Sequence, residues 1–245
     1  MFEQVFYSLT RRNCHFQNVR AELQRLAAFL RDNDVHAADI VDVGCGDGAI
    51  TIALGALLDA RDTWGIDLNS TLLARAARMG VNTVCQDMTC LDLERTFELV
   101  VSYGSLHHVQ DTNAFVRGLA RLSSKYVLIV DNTVRPTYWH RLTGSRYFPL
   151  ESSSYPIRTV QEIMVGLTFA NCLIIDVLTT RNANLWHDRS FVLAAIEPGK
   201  PRLAGAGCRD GVPGEAVQEG HRDFLSLRPS RERTTRPTRV SSTAG

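Results

Sequence analysis

Residues 1–198 alternate between short runs of aliphatic and β-branched residues and longer segments in which apolar residues recur at helical spacing. This alternation is typical of βαβ units, in which consecutive strands lie parallel in one sheet and the helices cover its two faces. The pattern predicts an α/β fold, a Rossmann-like three-layer sandwich around a seven-stranded, mostly parallel sheet.

The predicted strands and helices follow one another in regular order. We expect strands at Ile40–Val43, Thr63–Asp67, Val81–Cys85, Glu98–Tyr103, Tyr126–Asp131, Leu173–Thr180 and Ser190–Ile196, and helices at Phe16–Arg31, Ser70–Met79, Thr112–Leu122 and Thr159–Phe169. Ser70 and Thr159 stand where an N-cap is expected. The linker Arg181–Arg189 is too short for a crossover helix, so the last strand is expected to run antiparallel to the one before it.

Three regions are predicted along the chain. Residues 1–38 form an N-terminal helical cap, residues 39–198 form the core, and residues 199–245 lose hydrophobic periodicity and gather Gly, Pro, Ser and Arg, which predicts a disordered tail. An insertion near 133–158 is rich in aromatic residues and arginines. It suits a lid over an apolar or aromatic acceptor with an anionic group, or equally a partly buried helical cap.

The net charge of the chain indicates no particular class of binding partner. The 27 Lys and Arg residues and 26 Asp and Glu residues give a formal charge of +1. Such a molecule has no strong field to attract nucleic acid or anionic lipid. The six cysteines show no CxxC pair and no zinc-ligand spacing, which is typical of reduced thiols. Neither a secretory signal nor a membrane-spanning run stands out. We therefore expect a cytoplasmic protein that binds neither membranes nor nucleic acid.

A glycine-rich turn is the strongest local signal. The hydrophobic strand Ile40–Val43 leads into Gly44-Cys45-Gly46-Asp47-Gly48, and a helical pattern follows. Glycines permit a tight turn and let backbone N–H groups approach a ligand, while the following helix directs its positive end toward a negative group. The turn also fits the looser dinucleotide fingerprint, so a nucleotide-dependent oxidoreductase stays open at this point.

Two carboxylates narrow the choice of ligand. Asp42 precedes the first glycine by two residues, where its charge would repel a pyrophosphate but would suit an ammonium and a sulfonium. Asp67 ends the second strand, beside the glycine turn, where a carboxylate can accept hydrogen bonds from both ribose hydroxyls. Asp67 supports an adenosine-type ligand, and Asp42 favours S-adenosylmethionine.

The run Asp42-Val-Gly44-Cys-Gly46-Asp-Gly48 resembles the first motif of the class I S-adenosylmethionine-dependent methyltransferases. The resemblance implies S-adenosylmethionine as cofactor, with the glycine turn around its methionine end and Asp42 near its amine. It further implies that Asp87 binds the adenine amino group and that Met88 packs on the ring. The cofactor-binding set implied in this way is Asp42, Gly44, Cys45, Gly46, Gly48, Asp67, Leu68, Asp87, Met88 and Tyr103.

The segment Phe97–Val109 is a hydrophobic strand that ends in Leu106-His107-His108-Val109. It resembles the fourth motif of the small-molecule branch of the same family, in which this strand end lines the methyl-transfer site. Histidine titrates near neutral pH, so His107 and His108 are the candidate catalytic bases. Each of them is equally able to pack against a helix or to bind backbone groups.

The resemblance implies methyl transfer to a small-molecule acceptor, with oxygen or carbon favoured as the accepting atom. Asp131-Asn132 is similar to part of the magnesium site of catechol-type O-methyltransferases, but Ser102-Tyr103-Gly104 replaces the first acid, so no metal is predicted. The Pro-Pro-aromatic run of amino-methylating DNA enzymes is missing at the end of the fourth strand. A nucleotide-dependent oxidoreductase and a non-catalytic cofactor-binding scaffold or regulatory subunit are the alternatives, and the oligomeric state is left open.

Overall fold

The computed structural model describes residues 17–134, 158–181 and 187–200, all within a unit that spans Met1–Cys208. Its seven strands form one sheet in the order β3-β2-β1-β4-β5-β7-β6. The strands are β1 Asp39–Val43, β2 Asp62–Asp67, β3 Asn82–Cys85, β4 Phe97–Tyr103, β5 Ser123–Val134, β6 Cys172–Arg181 and β7 His187–Ile196. Strands β1 to β5 pair in parallel, and β7 is antiparallel to both β5 and β6. The predicted fold class is confirmed.

Helices cover both faces of the sheet. They are α1 Gln17–Asp32, α2 Ala49–Leu58, α3 Ser70–Arg78, α4 Thr112–Leu122 and α5 Val160–Phe169, with a short 3-10 helix at Leu106–His108. One core joins α4 and α5 to the face that carries Val127 and Ile129, and the other joins α1 and α2 to the face that carries Leu128 and Val130. The central strands are therefore buried on both sides, which explains their nearly continuous hydrophobic sequence.

Strand β5 starts earlier than the sequence predicts. It begins at Ser123, directly after α4, rather than at Tyr126. The Ser123 hydroxyl donates to the carbonyl of Tyr126 at 2.8 Å, and the Ser124 hydroxyl donates to the carbonyl of Phe97 at 3.1 Å. These side chains satisfy backbone acceptors where a turn was expected, so the chain passes from helix to strand without a loop.

One of the two predicted N-caps is wrong by a single residue. The N-cap of α3 is Asn69, whose side chain accepts from the backbone N–H groups of Thr71 and Leu72, and Ser70 is the first helical residue. Thr159 caps α5 as predicted. Its hydroxyl accepts from the N–H of Glu162 at 3.1 Å, and the Glu162 carboxylate accepts from the N–H of Thr159 at 2.7 Å. This reciprocal pair is a capping box.

Several expectations concern residues outside the described ranges. These are the N-terminal sixteen positions, nearly all of the predicted lid near 133–158, and the predicted tail beyond residue 200. Within the described ranges, no helix combines the length and hydrophobicity that crossing a bilayer requires. Cys45, Cys85 and Cys172 are free thiols, whereas Cys90 is disulfide-bonded. The expectation that all six cysteines are reduced is therefore wrong for Cys90, and it no longer supports a cytoplasmic location.

Candidate active site

The carboxyl edge of the sheet, formed by the ends of β1, β2, β4 and β5, gathers most of the predicted site residues. Strand β1 lies between β2 and β4, and the order of connection reverses at the β1/β4 boundary. In open α/β sheets, ligands bind outside the carboxyl ends of the strands at such a switch point. The segment after β1 and the segment after β4 therefore flank the expected binding position.

The glycines of the turn after β1 have different roles. Gly44 has φ of +83°, and a Cβ there would stand 2.1 Å from Ser105 Oγ, so only glycine permits this contact with the segment after β4. Gly46 has φ of +55°, and no atom of the described residues lies within 4 Å of its Cβ position. Gly44 thus joins the two segments, whereas Gly46 faces open space. Gly48 is the N-cap of α2 and lies against Ala76 of α3.

The structure turns the Cys45 side chain inward. Its sulfur occupies the space beside Gly65, where an added Cβ would stand 2.5 Å from it, and Cys45 is 7% exposed. Burial raises the pKa of this thiol, and the nearby charges of Asp42 and Asp67 raise it further. The Cys45 thiol is therefore an inert packing group. Its backbone N–H donates to the carbonyl of Ile66 at 3.1 Å.

Asp42 is a buried carboxylate with one oxygen unpaired. Its Oδ2 accepts from the hydroxyl of Thr51 at 2.8 Å, while Oδ1 is buried and has no partner among the described residues. Burial raises the pKa of Asp42 to about 7 against the lowering effect of Thr51, and the charge of Asp67 raises it slightly. A buried acceptor without a donor is costly, so a cationic ligand group at Oδ1 would be stabilised there.

Asp67 stands beside the glycine turn as predicted. Its Oδ2 accepts from the N–H of Gly46 at 2.9 Å, and its Oδ1 accepts from the N–H of Asn69 at 2.8 Å. These two bonds fix the carboxylate at the end of β2 while leaving it half-buried. Each oxygen keeps a lone pair with which it can accept from a ligand hydroxyl.

The remaining predicted adenine-side residues lie next to Asp67. The carbonyl of Asp67 accepts from the N–H of Gln86 at 3.1 Å, which places the segment after β3 beside the end of β2. Leu68 is 60% exposed, and Met88 is half-buried at the edge of the core. Asp87 is exposed and uses Oδ1 to accept from the N–H and hydroxyl of Thr89. An exposed leucine and a methionine at this edge provide apolar surface for a flat ring.

His107 and Asp131 form a buried pair at the ends of β4 and β5. His107 Nδ1 lies 2.7 Å from Asp131 Oδ1, and the two residues are 8% and 1% exposed. Asp131 also accepts from the N–H of Leu106 at 2.8 Å and from the N–H of Asn132 at 2.6 Å. The ring of His108 packs against His107 at 4.1 Å between centroids, but His108 itself is exposed. From the sequence, Asp131 was weighed only as part of a magnesium site, and its contact with His107 was not predicted.

A second polar cluster lies on the α1 side of the same edge. The hydroxyl of Tyr103 donates to Glu22 Oε1, and Arg189 Nε donates to the same oxygen at 2.6 Å. The guanidinium of Arg189 stacks on the Tyr103 ring at 4.7 Å. Tyr103 was predicted to bind the cofactor, and in the structure its hydroxyl contacts Glu22 of α1. Neither Glu22 nor Arg189 was predicted as a site residue, because they are far apart in the sequence and only the fold brings them into contact.

The comparisons with known proteins agree with this geometry. The model of a family described as "Methyltransferase domain" matches residues 40–125, which hold the glycine turn, Asp67 and both histidines. Among solved structures, the chain is similar to magnesium protoporphyrin IX methyltransferase from Synechocystis with bound S-adenosylhomocysteine, with 16% identity and a TM-score of 0.56 over 75% of this chain and 87% of that one. It is also similar to a [4+2]-cyclase, with 14% identity and a TM-score of 0.57 over 71% and 81%.

Among curated proteins, the chain is 30% identical over 84 residues to a malonyl-[acyl-carrier protein] O-methyltransferase of Bacillus anthracis, which is 33% of this chain and 31% of that protein. The chain spans about a third to about half of the length of the curated relatives it matches. The fold defines a Rossmann-like α/β protein whose switch point lies between β1 and β4. Residues 40–125 match the model of a methyltransferase domain, and the resemblance to the class I methyltransferases is confirmed.

Proposed function

We propose that this chain transfers a methyl group from S-adenosylmethionine to a small-molecule acceptor, with oxygen or carbon as the accepting atom. The observation that carries the proposal is the unpaired Oδ1 of Asp42, buried directly behind the glycine turn. An ammonium group would give this oxygen a charged donor, whereas a pyrophosphate would meet a like charge. The site therefore favours an amino-acid-bearing nucleoside over a dinucleotide.

The other residues around the turn suit the same ligand. The carboxylate of Asp67 is fixed by backbone bonds to accept from ribose hydroxyls, and the open space at Gly46 lies beside it. Leu68 and Met88 provide the apolar surface for the adenine ring, and the uncommitted Oδ2 of Asp87 suits its amino group. When bound, S-adenosylmethionine supplies an electrophilic methyl group.

In this proposal His107 accepts the proton that the acceptor releases. Its Nδ1 donates to Asp131, and this bond assigns the basic lone pair to Nε2 and fixes the plane of the ring. Asp131 is held by two further N–H donors, so it positions the imidazole and stabilises its positive charge after proton transfer. His108 is the second candidate base, and its ring is exposed whereas that of His107 is buried.

Calorimetric titration with S-adenosylhomocysteine and, separately, with NAD tests the cofactor. We expect micromolar binding of S-adenosylhomocysteine and about tenfold to hundredfold weaker binding by Asp67→Ala, because charge-assisted hydrogen bonds are lost. Asp92→Ala is the matched control, since Asp92 is an exposed acid outside the site. Binding of NAD alone would overturn the proposal in favour of an oxidoreductase.

A non-catalytic or otherwise non-methylating protein is the second candidate. It is favoured by the similarity to a [4+2]-cyclase, which means that the fold alone does not fix the reaction. Transfer of a labelled methyl group to a broad panel of phenols, carboxylic acids and activated carbon acids separates the two candidates. Binding of S-adenosylhomocysteine without transfer to any acceptor would favour the second candidate. A cytoplasmic location and the absence of membrane or nucleic-acid partners stay predictions.

A further inference from the structure

We propose that Arg189 is a carboxylate-binding residue of the acceptor site, so that the acceptor is a small organic acid whose carboxylate is held while another of its atoms receives the methyl group. The inference rests on the proposed function, because it assigns a substrate class to the same carboxyl edge. It starts from an arginine whose side chain is 13% exposed and whose ion pair with Glu22 uses Nε.

The strand register places Arg189 at the edge where the reaction is proposed. Strand β7 is antiparallel to β5, with Arg189 opposite Asn132, while Tyr103 at the end of β4 is opposite Val130. Arg189 thus lies just beyond the end of β4, level with Gly104. Its two Nη atoms stand 3.8 and 4.0 Å from the position that a Cβ of Gly104 would occupy. These distances are ordinary van der Waals contact, so the guanidinium lies against the backbone of Gly104.

The ion pair of Arg189 uses one nitrogen of its guanidinium. Nε donates to Glu22 at 2.6 Å, and one face stacks on the ring of Tyr103. Both Nη atoms lie outside the ion pair with Glu22 and stand against Gly104. The end of the guanidinium that carries both Nη atoms is the fork that binds the two oxygens of a carboxylate in parallel. Glu22 and Tyr103 therefore hold the arginine with this fork against Gly104.

The two faces of the sheet bring different groups to this edge. Arg189 lies on the face that packs on α1, with Phe191 and Leu193 of the same strand. Asp131 follows Ile129 on the opposite face, and it binds His107 there. Gly104 follows Tyr103 at the end of β4 and comes directly before the segment that carries the histidine. An acceptor lying across this edge can meet the arginine with one group and the imidazole with another, so the carboxylate that is held is not the methylated group.

The surrounding charges favour a monoanion. The described charged groups that act on Arg189 are Glu22 in direct contact and Asp131, with Tyr103 neutral because burial raises its pKa. A dianionic phosphate would be repelled by both of these carboxylates, and Arg189 is the one cation that offsets the repulsion. A carboxylate ligand carries half the charge of that phosphate and is repelled less. If Arg189 served only to pair with Glu22, the Nε contact would suffice. Burying the rest of the guanidinium costs free energy that such a pair does not require.

The test compares benzoate with benzamide, which share a shape and differ in charge. Ligand-observed NMR titrations use the full chain with and without S-adenosylhomocysteine, with inorganic phosphate as a third probe. We expect benzoate to bind at least about tenfold more tightly than benzamide, as a charge-assisted bidentate contact requires. Arg189→Gln should remove this preference, and Arg189→Lys should reduce it because an ammonium has no fork. Arg25→Gln, an exposed arginine on α1, is the control that leaves it unchanged.

The variant Glu22→Gln tests whether Arg189 binds a carboxylate ligand or only stabilises the fold. The amide still accepts from Tyr103 and Arg189 but removes the competing negative charge, so we expect tighter binding of benzoate even where the melting temperature falls. A merely structural pair predicts lower melting temperatures for both Arg189→Gln and Glu22→Gln with no change in the benzoate preference, and that result would overturn the inference. Tighter binding of phosphate than of benzoate would overturn the carboxylate assignment.

The same samples distinguish this inference from the proposed function. If S-adenosylhomocysteine binds and benzoate shows no preference over benzamide, only the carboxylate subsite is wrong. If benzoate is preferred in an Arg189-dependent way but S-adenosylhomocysteine does not bind, the subsite stands and the methyltransferase proposal fails.

Discussion

The carboxyl edge of the sheet has two halves that are built in different ways. On the side proposed to bind the cofactor, called the cofactor side, Asp42, Gly44 and Gly46 lie within a few residues of one another, and Asp67 contacts Gly46 from the next strand. On the side proposed to bind the acceptor, called the acceptor side, contacts join residues that are far apart in the chain, such as Glu22 with Arg189. The first half is defined by backbone geometry, and the second by long-range side-chain pairing.

This difference determines how each half responds to substitution. Glycines that form a turn cannot be replaced without strain, whereas a buried ion pair or a histidine held by a carboxylate can lose a partner while the backbone keeps its course. Changes on the cofactor side should therefore alter stability and binding together. Changes on the acceptor side should alter turnover or selectivity with a smaller effect on cofactor binding.

The largest effect is expected on the acceptor side, from His107→Ala. Loss of a general base lowers kcat by about 10²–10⁴-fold, whereas affinity for S-adenosylhomocysteine should stay within about twofold because the proposal places His107 on the acceptor, held by Asp131. Asp131→Asn should lower kcat similarly, since the amide no longer favours the tautomer with its basic lone pair on Nε2. The measurement is single-turnover methyl transfer with an acceptor identified from the panel.

His108→Ala is the matched control for the histidine prediction, because it removes the exposed ring of the same pair. A kcat for His107→Ala equal to that of the wild type would mean that positioning alone drives the transfer. A large loss in His108→Ala with none in His107→Ala would exchange the roles of the two residues.

The second prediction contrasts two glycines of the cofactor side. Gly44→Ala places a Cβ into Ser105 at a positive φ, and we expect it to lower the free energy of unfolding by about 3 kcal/mol. Gly46→Ala also places an alanine at a positive φ, but no described atom lies near the new Cβ. We therefore expect it to lower the free energy of unfolding by about 1 kcal/mol. Its new methyl group enters the proposed cofactor space, and we expect it to weaken S-adenosylhomocysteine binding despite the milder loss of stability.

Urea unfolding and calorimetry on both variants check this contrast. If Gly46→Ala binds S-adenosylhomocysteine as tightly as the wild type, the open space at Gly46 is not part of the site. If Gly44→Ala is as stable as Gly46→Ala, Ser105 moves aside and the contact between the two segments is not specific.

The two halves were also unequally predictable from the sequence. The strands, the glycine turn and Asp67 follow from local patterns, because hydrophobic periodicity and positive-φ glycines act over a few residues. The Asp131–His107 contact needs the β4/β5 register, which no local pattern specifies. Arg189 lay outside the predicted strand Ser190–Ile196, and its partner Glu22 lies near the start of α1.

Local patterns also failed where side chains replaced backbone partners. Ser123 and Ser124 satisfy carbonyls in place of the expected turn, so β5 begins early. The sequence did not indicate that the Cys45 sulfur occupies the space beside Gly65, and contact of Cys45 with the cofactor stays a prediction. Both outcomes depend on a neighbouring strand, which a single segment of sequence does not reveal.

The third prediction concerns the pH dependence that Asp42 creates. Its pKa is about 7 in the folded protein against an ordinary value of 3.8, so between these pH values the folded state holds a proton that the unfolded chain has released. The contribution of Asp42 to the free energy of unfolding therefore falls as pH rises from about 4 to about 7 and is constant above that range. Asp42→Asn removes this penalty and leaves a buried N–H group, so we expect a net gain of about 1–3 kcal/mol at pH 8 and none at pH 4.

Cofactor affinity should change in the opposite sense. In the wild type, S-adenosylhomocysteine should bind more tightly as pH rises through about 7, because the ionised carboxylate attracts its ammonium. Asp42→Asn should bind more weakly at pH 8 and lose this pH dependence. A variant that is both more stable and equally competent to bind would show that Asp42 does not meet a ligand cation.

The smallest effect is expected at the N-terminus of α5, outside the proposed site residues. Thr159→Ala removes the hydroxyl that accepts from the N–H of Glu162, and we expect a loss of about 1 kcal/mol in the free energy of unfolding. Neither S-adenosylhomocysteine affinity nor benzoate preference should change, because Thr159 contacts neither half of the edge. Thr159→Ser keeps the acceptor and should restore most of the stability. These two variants show how much ligand affinity changes when only stability is lost. A larger change in affinity for an Arg189 or Asp42 variant is therefore evidence that the residue binds the ligand directly.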